Sequence, residues 1–311
     1  MSRFLVTGGA GFIGSHIVEA LVKQRQYVRL LDNFSSGRMA NLKGMEKKID
    51  IIRGDICSPG ICLKATRGID FVLHQAALRS VPKSMHDPHA YNRVNIDGTL
   101  NMLEASRKNK VKRFVFASSS SVYGQVNMFP EKESFTPCPI SPYALSKLAG
   151  EYYCRIFSLH FGLPTIALRY FNVFGPRQGL DDEYAVVIPK FINCLLTNQQ
   201  PPIFGNGKQS RDFTFVQNVV EANLLAAKTA KEICGVFNVA AGKDTTVLDL
   251  VRILNKILGK EIKPLLLDRR PGDVFRTLAD IKASAKVLKY KPSVNFENGL
   301  KITVDYWKKN A

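Results

Sequence analysis

The sequence FLVTGGAGFIG, residues 4–14, joins a short apolar run to a glycine-rich loop and then to an amphipathic stretch. The run FLVT (4–7) predicts a buried strand, and residues 12–25 predict a helix that begins inside the loop. The glycines fit two spacings, GxGxxG at Gly9, Gly11 and Gly14, and GxxGxxG at Gly8, Gly11 and Gly14. Such glycines permit a tight turn and let a phosphate approach the backbone at the positive end of a helix. The stretch therefore predicts the first strand–helix unit of a dinucleotide-binding sheet.

Strand-like and helix-like segments alternate through the first half of the chain. The further apolar runs are VRLLD (28–32), IDII (49–52), FVLHQ (71–75), RFVFAS (113–118) and TIALRY (165–170). Helical stretches at 93–109 and 142–161 separate the later runs. This alternation predicts an α/β fold with a doubly wound parallel Rossmann sheet, covered by helices on both faces.

From about residue 172 the loops lengthen and carry Gly and Pro, as in QQPPIFGNGKQSRDF. Helices are predicted among them near 184–198, 217–231, 246–258 and 280–289. Long loops beside such a sheet usually build a ligand site. We therefore predict an NAD-type Rossmann domain and a smaller α/β substrate-binding lobe. The Rossmann domain would comprise residues 1–171, with about 214–241 returning to it, and the lobe residues 172–213 and 242–311.

Asp32 ends the second predicted strand, about 20 residues after the glycine loop. A carboxylate at this place accepts hydrogen bonds from the two ribose hydroxyls of NAD and repels the additional phosphate of NADP. The loop and the carboxylate together predict NAD as the cofactor. Arg38 leaves NADP open, since a nearby cation accommodates the extra phosphate in some proteins.

Tyr143 and Lys147 lie one helical turn apart in SPYALSK (141–147). Ser141 is predicted as the helix N-cap and Pro142 as the first helical residue. At this spacing the ammonium and the phenol share one helix face, and a nearby positive charge favours the phenolate. We therefore predict that the pKa of Tyr143 is lowered toward the working pH, as a general base requires.

The composition is that of a globular protein with a strongly basic surface. Hydrophobic residues make up 45% of the 311 residues, charged residues 23%, and the net charge is +18. The basic residues are scattered, so we predict a solvated surface rather than a specific nucleic-acid site. The six cysteines show no paired spacing, and neither a signal peptide nor a membrane-spanning run is evident, which predicts a cytoplasmic protein with reduced thiols. No metal is expected, because no Cys, Asp or Glu completes a ligand set around His86 and His89.

Several stretches occur in the order that one known family has. They are TGGAGFIG (7–14), GDI (54–56), HQAA (74–77), VNIDGT (94–99), FASSSSVYG (116–124), SPYALSK (141–147), LRYFNVFGPRQ (168–178), SRDFTFV (210–216) and RRPGD (269–273). Over almost its whole length the chain resembles the extended short-chain dehydrogenase/reductase family, and within it the nucleotide-sugar 4-epimerases.

The resemblance implies that Ser119, Tyr143 and Lys147 are the catalytic residues. Ser119 would hydrogen-bond the 4-hydroxyl of a UDP-hexose and relay its proton to Tyr143, with Ser118 and Ser120 as alternatives. Dehydratases of this family carry Thr-Asp-Glu in this segment and related decarboxylases carry an acid, whereas this chain has serines there. The resemblance therefore implies epimerisation at C4 through a 4-keto sugar, with hydride passed to a tightly bound NAD and returned.

The resemblance also assigns contacts to both ligands. The cofactor residues would be Gly8, Gly9, Gly11, Phe12, Ile13, Gly14, Asp32, Asn33, Asp55, Ile56, Ala76, Ala77, Arg79, Asn95, Tyr143 and Lys147. The nucleotide-sugar residues would be Ser80, Ser119, Ser120, Asn172, Val187, Phe204, Arg211, Arg270, Asp273 and Thr277. In this scheme Arg211 and Arg270 bind the diphosphate, and Phe204 lies beside the uracil.

Thr277 matches the family's gatekeeper position, three residues before Asp280. A tyrosine there restricts the pocket to UDP-glucose and UDP-galactose, whereas a small residue leaves space for an acetamido group. AALRSVPKS (76–84) and EYAVVIPKF (183–191) also resemble epimerases of N-acetylated UDP-hexosamines. The resemblance therefore favours UDP-GlcNAc/UDP-GalNAc, with UDP-Glc/UDP-Gal also open.

Two other functions remain open. A UDP-glucuronate 4-epimerase would share the serine run and would need a cation such as Arg79 or Lys83 for the sugar carboxylate. A non-catalytic NAD-binding or RNA-binding relative would suit the basic surface, although such proteins tend to lose the tyrosine or the lysine. Relatives form homodimers through a four-helix bundle that includes the helix carrying Tyr143, which implies a homodimer here as well.

Overall fold

Parallel strands form the centre of the protein in a computed structural model, which describes residues 1–180, 187–268 and 274–310. The strands are β1 (Arg3–Thr7), β2 (Tyr27–Asp32), β3 (Asp50–Arg53), β4 (Phe71–His74), β5 (Arg113–Ser119), β6 (Thr165–Tyr170), β7 (Val173–Phe174), β8 (Pro202–Phe204), β9 (Ser210–Arg211), β10 (Thr214–Phe215), β11 (Gly235–Val239), β12 (Thr245–Thr246) and β13 (Leu265–Leu267). Seven of them pair in one parallel sheet in the order β11–β6–β5–β4–β1–β2–β3. The predicted doubly wound parallel sheet is confirmed.

Helices cover both faces of this sheet. The α-helices of the described residues are α1 (Phe12–Lys23), α2 (Pro59–Thr66), α3 (Val81–His86), α4 (Pro88–Tyr91), α5 (Gly98–Lys108), α6 (Pro142–His160), α7 (Val187–Leu196), α8 (Val216–Lys228), α9 (Val247–Leu258), α10 (Lys282–Val287) and α11 (Phe296–Asn310). On one face Ile17 of α1 and Val219 of α8 pack in the same buried cluster as Val6 of β1. On the other face Met102 of α5 and Phe157 of α6 are buried in a second cluster. Burial on both faces explains why the strands read as continuous apolar runs.

A third hydrophobic cluster lies outside the main sheet. It combines Phe191 of α7, Ile203 of β8, Leu250 of α9 and Val304 of α11. Three two-stranded sheets pair β7 with β10, β8 with β13 and β9 with β12. Strand β11 pairs with β6 in the main sheet. The division into two lobes, with the boundaries given in the sequence analysis, remains a prediction.

The predicted strands match the observed ones to within one residue at each end, but several helices differ. The predicted helix 93–109 begins as a π-helix, Asn92–Asp97, before α5. Helix α11 was not predicted, because Gly299 and a β-branched run weaken its helical pattern. Gly299 is needed there, since a Cβ atom on it would lie 2.8 Å from the Phe215 ring and 2.9 Å from the Phe174 ring. Packing rather than propensity therefore decides this helix. Within the described part of the chain, no helix combines the length and hydrophobicity that a membrane span needs.

Candidate active site at the carboxyl edge of the sheet

The predicted site residues follow strands that end at one edge of the sheet. Strand β1 leads into the glycine loop, β2 ends at Asp32, and β5 ends at Ser119. Asn172 follows β6, and Ala76 follows β4. Because all these strands are parallel, their carboxyl ends meet at the same edge, where open α/β sheets bind ligands.

The glycine loop comes too close to its neighbours to accept side chains. Gly8 has a φ of +63°, and a Cβ atom on it would lie 2.8 Å from the Ala76 Cα. A Cβ atom on Gly14 would lie 2.1 Å from the Gly8 carbonyl oxygen. Helix α1 begins directly after Gly11, and no side chain caps its amino terminus. The loop therefore presents backbone and a helix dipole to an anion, which fits the pyrophosphate of a dinucleotide.

Asp32 is held in a fixed orientation beside the loop. Its Oδ2 accepts a hydrogen bond from the Ala10 amide (2.9 Å), and its Oδ1 accepts one from the Phe34 amide (2.8 Å). Each carboxylate oxygen retains a further lone pair for a ribose hydroxyl. A Cβ atom on Gly37 would lie 2.9 Å from both oxygens, so the chain passes close to the carboxylate. This geometry fits the ribose of NAD.

The predicted adenine-side residues form a small polar network. Asn33 donates a hydrogen bond from Nδ2 to Asp55 Oδ2 (2.9 Å), and the Cys57 amide donates to Asp55 Oδ1 (2.8 Å). Burial tends to raise the pKa of Asp55, but the Cys57 and Asn33 hydrogen bonds outweigh it and leave the pKa lowered. Ile56 is buried beneath this network, where its side chain packs over Gly98. Asp55 is therefore an ionised carboxylate in the native protein.

Ser119 and Tyr143 come together at the end of the central strand β5. The Ser119 hydroxyl lies close enough to the Tyr143 phenol to lower its pKa. Its hydrogen bonds are with Ser121, because it accepts one from the Ser121 amide (3.2 Å) and donates one to the Ser121 hydroxyl (3.1 Å). The Ser141 hydroxyl caps α6 by accepting a hydrogen bond from the Ala144 amide (3.1 Å), as predicted. Ser119 is nearly buried and Tyr143 is half-buried, so the pair faces a restricted space.

The prediction that the pKa of Tyr143 is lowered is wrong for the protein chain alone. Burial, the largest influence, raises the pKa of Tyr143, and the nearby Ser119 hydroxyl and the charge of Arg79 lower it by less. Lys147 is not among these influences, because its ammonium is directed to the strand behind. The i,i+4 spacing alone therefore did not reveal which cation acts on the phenol.

Lys147 is buried against β5. Its Nζ donates a hydrogen bond to the Ala117 carbonyl (2.8 Å) and lies 5.2 Å from the centre of the Phe116 ring. Burial lowers the pKa of Lys147 to about 8. A nearby negative charge or ribose hydroxyl would stabilise the charged form of this ammonium group, because only one carbonyl now solvates it.

Ser118 and Ser119 point to different surroundings. The Ser118 hydroxyl donates a hydrogen bond to Glu151 Oε1 (2.5 Å) inside the protein, away from Tyr143. Ser119 is the residue that reaches the phenol. The geometry therefore favours Ser119 over Ser118 for the predicted catalytic role, while Ser120 begins the following 3₁₀ turn, Ser120–Tyr123.

The loop after β4 is fixed by side chains of neighbouring helices. Asn95 is buried and binds both the amide (2.8 Å) and the carbonyl (2.9 Å) of Leu78, and it donates to the Ser146 hydroxyl (3.0 Å). This side chain supports the loop rather than facing a ligand. Ser80 caps α3 and is buried, with its backbone held by the Tyr91 hydroxyl (3.0 and 2.6 Å). The predicted substrate contact of Ser80 would therefore involve a side chain that already has a structural task.

On the predicted nucleotide-sugar side, Asn172 and Thr277 form one unit. Asn172 donates a hydrogen bond from Nδ2 to the Thr277 hydroxyl (2.9 Å), and its backbone has a φ of +34°. Arg211 donates to the Ser210 and Phe275 carbonyls (2.9 and 3.2 Å), which holds its guanidinium at the end of β9. Of the remaining predicted residues, Val187 begins α7 and Phe204 ends β8. Arg270 and Asp273 lie outside the described residues.

Sequence reasoning missed a buried polar layer beneath the site. His74 is buried between Thr7 Oγ1 (2.7 Å from Nδ1) and Thr99 Oγ1 (3.1 Å from Nε2), and burial lowers its pKa to about 3. Glu151 binds Arg169 as well as Ser118. The one available signal for Glu151 was its spacing, because Tyr143, Lys147 and Glu151 recur every four residues along α6.

Residues 4–240 match the model of the NAD dependent epimerase/dehydratase family. The chain belongs to this family. Among solved structures, it is similar to a UDP-N-acetylglucosamine 4-epimerase from Methanobrevibacter ruminantium M1 in complex with UDP-N-acetylmuramic acid, with 43% identity, a TM-score of 0.96, and coverage of 100% of this chain and 99% of that one. The resemblance deduced from the motifs is confirmed.

Two further structures show the range of this family. A UDP-glucose 4-epimerase from Thermotoga maritima with UDP-glucose has 38% identity and a TM-score of 0.94, with 99% of each chain covered. A UDP-glucuronic acid 4-epimerase from Bacillus cereus in complex with UDP-glucuronic acid and NAD has 34% identity and a TM-score of 0.91, again with 99% of each chain covered. The similar proteins thus share 4-epimerisation of a UDP-sugar and differ in the sugar.

Proposed function

We propose that the protein is an NAD-dependent UDP-hexose 4-epimerase, acting on UDP-GlcNAc/UDP-GalNAc and also on UDP-Glc/UDP-Gal. The observation that carries this proposal is the proximity of Ser119 to the Tyr143 phenol at the end of β5, on the same edge of the sheet as the glycine loop and Asp32. A hydroxyl and a phenol suit proton transfer from a sugar alcohol. No carboxylate follows Ser119 in the sequence to eliminate water, since serines occupy the next two positions.

In this proposal each residue of the candidate active site has a distinct role. The loop at Gly8 and Gly14 binds the pyrophosphate, and Asp32 orients the ribose. NAD, when bound, supplies reversible oxidation by accepting hydride from C4 of the sugar and returning it. Tyr143 removes the proton from the 4-hydroxyl, while Ser119 holds that hydroxyl and relays the proton. Because burial raises the pKa of Tyr143, the phenolate needs the positive charge of Arg79, and that of the oxidised nicotinamide, nearby.

The size of residue 277 supports the choice of sugar. Thr277 is small and half-buried, and its hydroxyl is occupied by Asn172. Such a position leaves space for an acetamido group. One pocket side chain discriminates by only about 1–3 kcal/mol, which is why we propose activity on both kinds of hexose.

UDP-glucuronate is the second candidate substrate. Arg79 is exposed, and its charge reaches the Tyr143 phenol, so a cation lies near the position proposed for the sugar. A uronate carboxylate would pair with such a guanidinium. A similar protein from Bacillus cereus is a UDP-glucuronic acid 4-epimerase, which is consistent with this alternative.

Homodimer formation is also part of the proposal. Four apolar residues on α6 are 42–65% exposed and recur along one helix: Leu145, Tyr152, Ile156 and Leu159. A monomer rarely exposes such a row. We propose that a second copy of the chain covers it and that the protein acts in the cytoplasm, where its six cysteines stay reduced.

The test is an assay of the purified protein on UDP-GlcNAc, UDP-Glc and UDP-glucuronate, with the bound cofactor released and identified. We expect NAD to copurify and the two 4-epimers of UDP-GlcNAc to interconvert without added cofactor. Turnover of UDP-glucuronate alone would replace the proposed substrate by the second candidate. Absence of turnover on all three sugars would refute the proposed activity.

A further inference from the structure

A second cleft lies at the opposite edge of the sheet from the Gly8 loop. Its volume is about 570 Å³, within the range of small-molecule sites. Phe71 and Arg113 line it, and they are the first residues of β4 and β5, whose last residues border the candidate active site. A strand of seven residues such as β5 spans about 23 Å, so the two sites are well separated.

Six of the fourteen residues that line this cleft are cations. They are Arg107, Lys110, Lys112, Arg113, Lys228 and Lys231. Arg107 pairs with Glu104 (2.9 Å), and Lys112 pairs with Asp70 (2.9 Å). Three further lysines are exposed and form no ion pair with any residue that the structure describes, namely Lys110, Lys228 and Lys231. The charge of the cleft is therefore only partly neutralised by the protein.

Helix ends account for some of these cations but not for all of them. Arg107 and Lys228 lie in the last turns of α5 and α8. Helices α5, α6 and α8 all end at the cleft, and helix carboxyl ends favour positive charge. Arg113 serves α8 in this way, because it donates to the Thr229, Ala230 and Ile233 carbonyls (3.0, 2.6 and 2.6 Å). Its buried Nε has no hydrogen-bond partner among the described residues.

An aromatic ring lies among the cations. Phe161, just after α6, lines the cleft and is 48% exposed. The Arg107 guanidinium lies 5.5 Å from the centre of this ring. A half-exposed ring beside lysines is the combination that binds nucleotides, since the ring stacks on a base and the ammonium groups bind phosphates.

We propose that this cleft binds a nucleoside polyphosphate, with its base against Phe161 and its phosphates held by Lys110, Lys228 and Lys231. The limited volume of the cleft suits one nucleotide rather than a continuous nucleic-acid strand. Binding here does not compete with the nucleotide sugar, because the two sites occupy opposite edges of the sheet. The proposal is independent of the function proposed above.

The test measures binding of GTP to the protein saturated with NAD and UDP, which occupy the other predicted nucleotide sites. We compare Lys228→Glu/Lys231→Glu with Lys308→Glu/Lys309→Glu, a control at the exposed end of α11 that changes the net charge equally. GTP affinity should fall at least about tenfold in the cleft variant and stay nearly unchanged in the control. Phe161→Ala should weaken GTP binding while leaving binding of inorganic tripolyphosphate unchanged.

Four results would overturn the proposal. The first is that the wild-type protein shows no saturable GTP binding, and the second is that GTP affinity falls equally in both charge variants. The third is that tripolyphosphate binds as tightly as GTP and that Phe161→Ala leaves GTP affinity unchanged. The fourth is that a single-stranded RNA binds much more tightly than GTP and depends on the same lysines. The third would leave a simple anion site, and the fourth would indicate a nucleic-acid site. Circular dichroism of each variant checks that the fold is retained.

Discussion

Glu151 and Arg169 form a bidentate ion pair inside the protein. The Arg169 Nε donates to Glu151 Oε1 (2.8 Å) and its Nη2 donates to Oε2 (2.7 Å), and both side chains are only 3–4% exposed. Glu151 lies on the same face of α6 as Tyr143 and Lys147, while Arg169 belongs to β6. The pair therefore fixes the rotation of the helix that carries the candidate base relative to the sheet.

Loss of this pair should destabilise the protein strongly. Glu151→Gln leaves a buried guanidinium without its counter-charge, which costs about 3–5 kcal/mol of unfolding free energy. The control is Arg252→Gln, which breaks the exposed pair between Asp249 and Arg252 and should cost less than about 1 kcal/mol. Urea unfolding followed by fluorescence measures both. Similar small losses in the two variants would contradict the role of the buried pair.

Tyr143→Phe should abolish most of the turnover without disturbing the fold. The phenol is the group proposed to take the proton of the 4-hydroxyl, and such a general base contributes about 10²–10⁴ to the rate. The fraction of protein with bound NAD should stay at the wild-type level. Tyr152→Phe, on the exposed side of the same helix, is the matched control. Near-normal turnover of Tyr143→Phe would remove this residue from the role of base.

Arg79→Gln should shift the pH dependence of turnover. The charge of Arg79 lowers the pKa of Tyr143, so its removal raises that pKa further. The rate limb on which Tyr143 loses its proton should then move to higher pH. Arg79→Lys keeps the charge and should restore the profile, and Lys83→Gln, an exposed cation in α3, should leave the profile in place. An unchanged profile in Arg79→Gln would mean that the guanidinium does not act on the phenol.

Thr277→Tyr should reduce turnover of UDP-GlcNAc more than that of UDP-Glc. The added ring fills the space proposed for the acetamido group, and it also removes the hydroxyl that Asn172 binds. Thr277→Ala separates these effects, because it removes the hydroxyl without adding bulk, and it should affect both sugars alike. Steady-state kcat/KM on each sugar measures the outcome. Equal losses on the two sugars in Thr277→Tyr would refute the gatekeeper role.

Glu131 should make stability depend on pH. Burial, the largest influence, raises the pKa of Glu131 from 4.5 to about 8, and its Oε2 atom has no hydrogen-bond partner among the residues that the structure describes. The native state therefore holds a proton that the unfolded state has released between about pH 4.5 and 8, so this contribution to stability is lost as pH rises through that window. Glu131→Gln should remove this loss, on the order of a few kcal/mol. The urea midpoints of the wild-type protein and of Glu131→Gln at pH 5 and pH 8 test this prediction. An equal change in midpoint between the two pH values in both proteins would contradict the role of Glu131.

The sequence predicted those features that depend on neighbouring residues. The glycine loop, Asp32 at the end of β2, and the Ser141 cap of α6 are each defined by a few consecutive positions. Contacts across the fold were not visible. Asn172 meets Thr277 across 105 positions, and the cation that acts on Tyr143 is Arg79 rather than its helix neighbour Lys147. A pKa in particular depends on burial, which no local spacing records.

The position of β11 has a consequence for synthesis on the ribosome. This strand closes the sheet beside β6, but it comes from residues 235–239, after most of the chain. Until those residues emerge, β6 offers a row of unpaired amide and carbonyl groups, which is the usual template for unwanted pairing between nascent chains. A polypeptide interrupted before Gly235 should therefore precipitate, even though it contains the whole glycine loop, Ser119 and Tyr143.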